Sequence, residues 1–305
     1  MNPLVVAPEV AQALATGRAV VALETTLVTH GLPHPAGLEV AAELEAAVRE
    51  KGALPATIGV LDGRIRVGLT TADLDRLATT PGVAKLNLSN LAAHLAAGAS
   101  GSTTVAATMF AAHGAGIRVF STGGIGGVHR NATETDDVSA DLTALARFPL
   151  AVVCAGAKAV LDLARTVERL ETLGVPVFGL GTDAFPAFYR RDSGLPVDRR
   201  FDGIADVARA VRVHLGLGLG TAVVVANPIP AESEMPRDLY EGALARALAD
   251  ADQRRLRGRA VTPFLLARLH ELTEGASVFS NRALLLGNAR VAGALAVALA
   301  DSSPV

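Results

Sequence analysis

The sequence predicts an α/β protein whose central, largely parallel sheet is covered by helices. Short apolar runs typical of buried strands alternate with helical segments: VAKLNL, IRVFST, LAVVCAG, VPVFGL and TAVVVAN. Such alternation indicates parallel strands, because the crossover between two of them usually carries a helix. Residues 57–68 (TIGVLDGRIRVG) are predicted to form a hairpin, since Asp62-Gly63 suits a tight turn between two strands.

Helices are predicted before, between and after these strands. They cover residues 8–16, 37–51, 158–173 and 277–300. Each of the first three is followed by glycine, which commonly ends a helix. No linker, repeat or low-complexity block divides the chain, so we interpret residues 1–305 as a single domain.

Composition excludes several classes of partner. With 28 basic and 30 acidic residues and 4% aromatics, the chain lacks both a basic face and stacking platforms for polymeric nucleic acid. The single cysteine, Cys154, excludes an intramolecular disulfide and is typical of a reducing, cytoplasmic location. The N-terminus lacks signal-peptide features and no apolar run reaches the roughly 18 residues of a membrane span, so we expect neither export nor a membrane.

Three ionisable side chains end or follow strand-like runs, where parallel sheets bind ligands. Glu24 follows VVAL, Lys85 lies in VAKLNL, and Lys158 follows AVVCAGA. Two ammonium groups near one site lower each other's pKa, and the resulting free amine forms Schiff bases with sugar aldehydes. The alternatives are a glutamate that merely ends a strand in a hydrogen bond and lysines that extend to solvent.

A glycine-rich loop and an acidic stretch follow the run IRVFST. The glycines within residues 123–127 either bring free backbone amides to a phosphate or form a turn that needs positive φ. The oxygens of Asp136, Asp137, Ser139 and Asp141 suit magnesium or manganese, although Ser139 is equally an ordinary helix N-cap.

Histidine and cysteine add two weaker signals. His30 and His34 lie among prolines in THGLPHP, so we expect them in a rigid loop near the site rather than as metal ligands. Cys154 lies inside an apolar run with no histidine nearby in sequence, which favours a buried hydrophobe over a nucleophile.

Seven segments in this order carry a resemblance to a known family: VVALETTLVTHGLPHP, GSTTVAATM, FSTGGIGGVHR, DVSADL, VVCAGAK, VVVANPIP and TPFLLARLHELT. From about residue 5 to 300 the chain resembles the pseudouridine-5′-phosphate glycosidase family, which includes the indigoidine synthase A-like proteins. The resemblance implies a three-layer α/β/α sandwich with a mostly parallel, mixed sheet, assembled as a homotrimer.

The family reversibly cleaves the carbon-carbon bond between C1 of ribose 5-phosphate and a base, using a divalent metal that is usually manganese. A C-glycoside has no leaving oxygen for a carboxylic acid to protonate, so an ordinary pair of carboxylates is insufficient. By resemblance, Lys158 attacks C1 and opens the ribose ring to a Schiff base, and Glu24 carries protons.

The resemblance also assigns a metal ligand and a set of substrate contacts. Asp137 aligns with the family's metal ligand. The substrate-binding positions align with Lys85, the backbone at Val105, His129, Ser139, Ala140, Asp141 and Asn281.

The chain departs from the usual family pattern beside these positions. The departures are Asn131 for glycine, Asp136 for phenylalanine, LNLSN after Lys85, Arg282 for an apolar residue and Gly287 for asparagine. Because hydrogen-bonding groups give a site its sharpest discrimination, the aglycone stays open. It is either uracil, released in catabolism, or an aromatic acceptor to which a C-glycosynthase attaches ribose 5-phosphate in an antibiotic pathway.

Two alternatives come from other classes of protein. One is a catalytically silent binder of sugar phosphates, which the intact Glu24, Lys85, Asp137 and Lys158 disfavour. The other is a class I aldolase barrel, which also places a Schiff-base lysine at a strand end. The hairpin and the helical final third disfavour the barrel.

Overall fold

The computed structural model describes residues 3–31, 35–130, 132–254, 256 and 261–301. The strands are β1 Leu4–Val6, β2 Val20–Glu24, β3 Leu54–Leu61, β4 Arg64–Val67, β5 Ala84–Leu86, β6 Gly101–Thr103, β7 Val119–Ser121, β8 Ala151–Cys154, β9 Val177–Leu180, β10 Arg199–Phe201 and β11 Val223–Ala226. The α-helices are α1 Pro8–Ala15, α2 Ala36–Glu50, α3 Thr71–Thr79, α4 Leu91–Ala96, α5 Val105–Ala115, α6 Ala132–Thr135, α7 Ala140–Leu145, α8 Leu163–Thr172, α9 Ile204–Gly216, α10 Arg237–Gln253, α11 Val261–Leu272 and α12 Ala276–Ala300.

The eleven strands form one mixed sheet. Its main order is β1-β4-β3-β2-β7-β8-β11-β9-β10, and β6 pairs with both β3 and β5. All pairs are parallel except those of β3 with β4 and with β6. The predicted mostly parallel sheet is confirmed, and the barrel alternative is wrong because the sheet is open at β1 and β10.

Helices cover the sheet on both faces and complete the expected three layers. Helix α5 packs on α7 and on strands β2, β3 and β4. Helix α12 packs on α2 and α9 and contacts β2, β7 and β8. Strands β8 and β11 are buried along their whole length, as expected for parallel strands covered on two faces.

The hairpin forms where it was predicted. Strands β3 and β4 are antiparallel, and the two residues between them have positive φ, 51° at Asp62 and 69° at Gly63. Such angles are required by the tight turns that match the twist of paired strands. The first strand begins at Leu54, three residues earlier than the pattern indicated.

Helix α12 differs from one expectation. By length and composition it could cross a membrane, so the expectation that no segment reaches that length is wrong for this helix. Half of its most apolar stretch is buried inside the protein, where it packs on α2 and α9. A helix in the core of a globular protein has the same apolar composition.

Helix α8 begins five residues later than predicted. Asp162 caps it by accepting a hydrogen bond from the amide of Arg165 at 3.1 Å, so Leu163 is its first residue. Lys158 therefore lies in the loop after β8, where its own amide donates to the carbonyl of Ile125 at 3.0 Å. Gly156 shapes this loop with a φ of +79°, which falls outside the helical region.

We predict that Gly156→Ala destabilises the loop that carries Lys158. A Cβ at residue 156 would overlap the carbonyl oxygen of Pro186, in addition to the cost of positive φ. Gly174→Ala is the matched control, because its φ is +67° and nothing lies within 4 Å of the added Cβ. In urea unfolding, the free energy of unfolding of Gly156→Ala should fall by about 1–3 kcal/mol more than that of the control. Equal decreases would show that the loop adapts to the added Cβ without destabilising the protein.

Candidate active site

Four of the predicted site residues line one cavity of about 80 Å³. Glu24 is the last residue of β2, Lys158 follows β8, and Lys85 lies in β5. Asn281, on α12, lines the same cavity. The remaining wall contains Thr122, His30 and the apolar side chains of Leu23, Leu27, Leu44, Phe188, Leu266 and Leu285. The structure thus brings a carboxyl group and two amines together at one edge of the sheet.

Glu24 is half-buried, and the loss of water around its carboxyl raises the pKa above the ordinary value. Three neighbours lower the pKa of Glu24: the charge of Lys158, the hydrogen bond from Thr122 and the charge of Lys85. The negative charge of Asp141 raises it further. Thr122 Oγ1 donates to Glu24 Oε1 at 2.5 Å. A raised pKa makes the carboxylate a stronger base than an ordinary glutamate and keeps the carboxyl protonated to a higher pH.

Lys85 has a pKa below the ordinary value, as the pairing of two lysines predicted. Burial is the main cause, and the charge of Lys158 is the next. Glu24 and Asp141 offset part of this effect by favouring the ammonium form. The charges of Glu24, Lys85 and Lys158 are therefore coupled within the cavity.

The predicted positions around residue 140 support the neighbouring backbone rather than line the cavity. The two carboxylate oxygens of Asp141 accept hydrogen bonds from the amides of Ala106 (2.9 Å) and Gly126 (2.8 Å). Ser139 caps α7 by accepting from the Asp141 amide at 3.2 Å, as the N-cap alternative predicted. Ala140 is the first residue of α7, and Val105, which is buried, is the first residue of α5.

The glycine cluster serves close packing. Within residues 123–127 no glycine has positive φ, so the interpretation as a positive-φ turn is wrong. A Cβ at Gly126 would overlap Ser139, and one at Gly127 would overlap Thr166. The amide of Gly126 is already bonded to Asp141, so the expectation of free amides is wrong at that position.

His129 and Asp137 line a second cavity of about 160 Å³, together with Arg130. His129 Nδ1 lies 3.8 Å from Asp137 Oδ2, and burial lowers the pKa of His129. No group of three or more His, Cys, Asp or Glu side chains that could hold a metal occurs among the described residues. One carboxylate beside an imidazole fits a divalent ion that keeps most of its water ligands, rather than one enclosed by protein.

Two polar residues at the site escaped sequence analysis. Thr122 directly follows β7 and its hydroxyl contacts Glu24. Its place after a strand is the signal that could have identified it. Asn288 is fully buried on α12, where Nδ2 donates to the carbonyls of Thr122 (2.8 Å) and Gly123 (3.3 Å). Its Oδ1 accepts from Asn227 Nδ2 at 2.9 Å, so helix α12 holds the loop that positions Thr122. No sequence pattern indicated that Asn288 faces this loop.

The departures from the family pattern mostly lie away from the cavity. Arg282 forms a two-bond ion pair with Glu43 of α2, through Nε at 2.9 Å and through Nη2. Gly287 lies beside Asn227 and Pro230, with room for a Cβ at 3.7 Å from the nearest atom. Asp136 has a φ of 52°, and Asn131 lies outside the described residues.

The predictions for Cys154 and for the histidines of THGLPHP have different outcomes. Cys154 is fully buried, and burial raises the pKa of its thiol to about 12, which confirms a buried hydrophobe. His30 lies in a π-helical turn, Leu27–Gly31, and lines the cavity. His34 lies outside the described residues.

Comparison with known proteins agrees with this fold. The model of the family described as indigoidine synthase A like protein matches residues 9–298, and the chain belongs to that family. Two pseudouridine-5′-phosphate glycosidases are close in sequence. The one from Rhodospirillum centenum is 60% identical over 293 residues, covering 96% of this chain and 91% of the relative. The one from Paracoccus denitrificans is 54% identical over 303 residues, covering 98% of this chain and 100% of the relative.

Solved structures add two neighbours. The prealnumycin C-glycosynthase AlnA, in complex with ribulose 5-phosphate, superposes with a TM-score of 0.91 at 42% identity and covers 97% of each chain. An indigoidine synthase A-like protein from Thermotoga maritima superposes with a TM-score of 0.86 at 37% identity, covering 93% of this chain and 94% of its own. These neighbours confirm the predicted fold and family.

We predict that Glu24→Gln stabilises the protein at neutral pH. A carboxyl whose pKa is raised on folding binds its proton more tightly when folded, so the stability it contributes at low pH is lost as pH rises above 4.5. Glutamine cannot ionise, so the variant should have the higher unfolding free energy at pH 7, and the difference should shrink below pH 4.5.

Urea unfolding at several pH values checks this expectation, with the exposed Glu9→Gln as the control. A variant that is less stable than the parent at pH 7 would mean that attraction to the two lysines outweighs the cost of burying Glu24.

Proposed function

We propose that the protein is a C-glycosidase that reversibly converts pseudouridine 5′-phosphate and water into uracil and ribose 5-phosphate. The observation that carries the proposal is the shared cavity of Glu24, Lys85 and Lys158. Carbon-carbon cleavage at a sugar carbon needs a nucleophile and a proton carrier side by side, and this cavity has both. The names of the relatives at 54% and 60% identity support the same activity.

Lys158 is the proposed nucleophile. Its free amine bonds to C1′ while the bond from C1′ to the ring oxygen breaks and that oxygen takes a proton. The bond between C1′ and C5 of uracil then breaks. Its electron pair and a proton go to C5, and the nitrogen lone pair completes a C=N bond to the sugar. Water adds to this imine, and loss of the amine releases ribose 5-phosphate and regenerates Lys158.

Glu24 is the proposed proton carrier. Its buried carboxyl has a raised pKa and lies within electrostatic reach of both lysines. It can therefore donate the proton that C5 receives and accept a proton when water attacks the imine. The Thr122 hydroxyl, which donates to Oε1, fixes the carboxyl and leaves the second oxygen to face the reaction.

The phosphate and a divalent metal are proposed to occupy the neighbouring cavity. Arg130 and His129 line it with Asp137, so basic side chains and a carboxylate face the same space. Asp137 and His129 would hold the ion, preferably manganese, which would supply positive charge against the phosphate or the sugar oxygens. In the other cavity, Lys85 and Asn281 are proposed to bind the sugar.

A biosynthetic C-glycosynthase is the second candidate. The same steps run in reverse would attach ribose 5-phosphate to an aromatic acceptor, and the likeness to AlnA at 42% identity supports that direction. The cavity wall is rich in leucine and suits a flat aromatic ring. Against it, Arg282 pairs with Glu43 and does not line the cavity, so this departure gives no reason for a changed aglycone.

We also propose that the protein is a cytoplasmic homotrimer. Val213 near the end of α9 is 60% exposed. Leu217 and Leu219, which follow the helix, are 65% and 63% exposed. Such a cluster offers apolar surface that another protomer can cover. The buried, free Cys154 is compatible with a reducing compartment.

We predict that ribose 5-phosphate and borohydride together label the protein at Lys158. Reduction of the imine would add the mass of ribose 5-phosphate less one water plus two hydrogens, located by peptide mass spectrometry. The sequence has three lysines, so each can be tested. Lys158→Ala should lose both the label and the release of uracil from pseudouridine 5′-phosphate. Lys51→Ala should keep both the label and the activity. A label retained on Lys158→Ala would contradict the assignment of Lys158 as the nucleophile.

We further predict that turnover depends on a divalent metal held at Asp137. Treatment with a chelator should suppress uracil release, and manganese should restore it. Asp137→Asn should raise the manganese concentration for half-maximal activity by about tenfold or more, because a ligand charge is lost. Asp136→Asn is the neighbouring control, and an equal change in both variants would argue for a general loss of acidity instead.

A further inference from the structure

His30 is the titratable side chain at the cavity that the proposed reaction leaves unused. It lies in the π-helical turn Leu27–Gly31, close after β2. The turn is fixed to β6, because Thr26 Oγ1 donates to the carbonyl of Thr103 at 2.7 Å and Thr29 Oγ1 donates to Ser102 Oγ at 2.8 Å. Single π-helical turns are frequent at functional sites.

Hydrogen bonding determines which ring nitrogen of His30 carries a proton. His30 Nδ1 lies 2.6 Å from Thr29 Oγ1. A hydroxyl has one proton, and Thr29 directs its proton to Ser102, so we assign Nδ1 as the donor in its contact with Thr29. In the neutral ring, Nε2 is then left as an acceptor. His30 is exposed on one side, and the partial burial of its ring, followed by the charge of Lys85, lowers its pKa and favours this neutral form.

His30 stands where two cavities meet. It lines the cavity of Glu24, and it also lines a cavity of about 370 Å³ that contains Tyr189 and His270. Near it, the wall of the first cavity is formed by Leu27 and Leu266, which suit the faces of a flat ring. A charged lysine has no acceptor atom, so Lys85 and Lys158 cannot bind an N–H group of such a ring while they are charged.

We propose that His30 determines aglycone specificity, with Nε2 accepting a hydrogen bond from a ring N–H of the aglycone. Uracil carries two such groups, whereas an aromatic carbocycle carries none. An aglycone that covers His30 removes water from Nε2, and a ring without a donor then leaves this acceptor unpaired. His30 therefore selects a pyrimidine dione over a carbocyclic acceptor. This inference rests on the proposed function, whose aglycone it specifies.

The test compares pseudouridine 5′-phosphate with its 1-methyl and 3-methyl derivatives, each of which replaces one N–H by N–CH₃. The wild type should cleave one of the two methyl derivatives with a kcat/KM about tenfold or more below that of the parent. His30→Phe keeps a ring of similar size but has no acceptor. It should cleave the parent more slowly and lose most of the preference for the N–H substrate.

Thr29→Val is the matched second variant. It removes the hydroxyl that orients His30 and leaves the imidazole in place, so it should reduce the preference in the same direction but by less. Melting temperatures near that of the wild type would show that both variants fold. A wild type without N–H preference, or a preference unchanged in His30→Phe, would overturn the proposal.

A binding measurement separates this proposal from the proposed function. Calorimetry with ribose 5-phosphate present compares uracil with 1,3-dimethyluracil on the wild type and on His30→Phe. Absence of turnover by the wild type contradicts the C-glycosidase activity alone. Preferential binding of uracil that disappears in His30→Phe would still support the acceptor role, and equal binding of both rings by the wild type would reject it.

Discussion

Burial of the Glu24 carboxyl beside two lysines is the constraint on which the site depends. Removing ionised groups from water is costly, and the cost falls only when opposite charges and hydrogen bonds surround them. Here burial raises the pKa of Glu24 and lowers that of Lys85, so each group shifts toward its neutral form. The same desolvation that weakens the fold therefore shifts the proton equilibria of the groups at this site.

A polar framework behind the cavity keeps these groups in place. Asp141 joins the start of α5 to the glycine-rich loop through two backbone amides. Asn288 joins α12 to the loop that carries Thr122. Both side chains are buried and fully bonded, so a change in either would expose unpaired polar groups and move the residues that contact Glu24. These two residues thus hold in place the backbone around Glu24.

The site separates two kinds of recognition between neighbouring cavities. Charged side chains form part of the wall of the cavity that contains Arg130 and Asp137, where the phosphate and a metal are proposed to bind. Apolar walls dominate the one that contains Lys158, with polar groups at a few places. A sugar phosphate joined to a flat ring has the same division, with a charged end and an apolar end.

The sequence by itself determined the fold class, the hairpin and the candidate chemistry. Strand-like runs followed by Glu24 and Lys158 located the reactive edge, because parallel strands all end on one side of a sheet. Pattern reasoning was weaker in the loop before α8, where it extended the helix to Lys158. A cap at Asp162 and the positive φ of Gly156 break the helix there, and neither changes the apolar spacing.

Only the tertiary structure decided which polar groups already have a hydrogen-bond or ion-pair partner. Gly126 has an amide bonded to Asp141, Arg282 pairs with Glu43, and Asn288 holds the Thr122 loop. These partners lie 15, 239 and 166 residues away along the chain. Local patterns record the period of helices and strands, but long-range hydrogen bonds depend on how those elements pack, so no local pattern could indicate them.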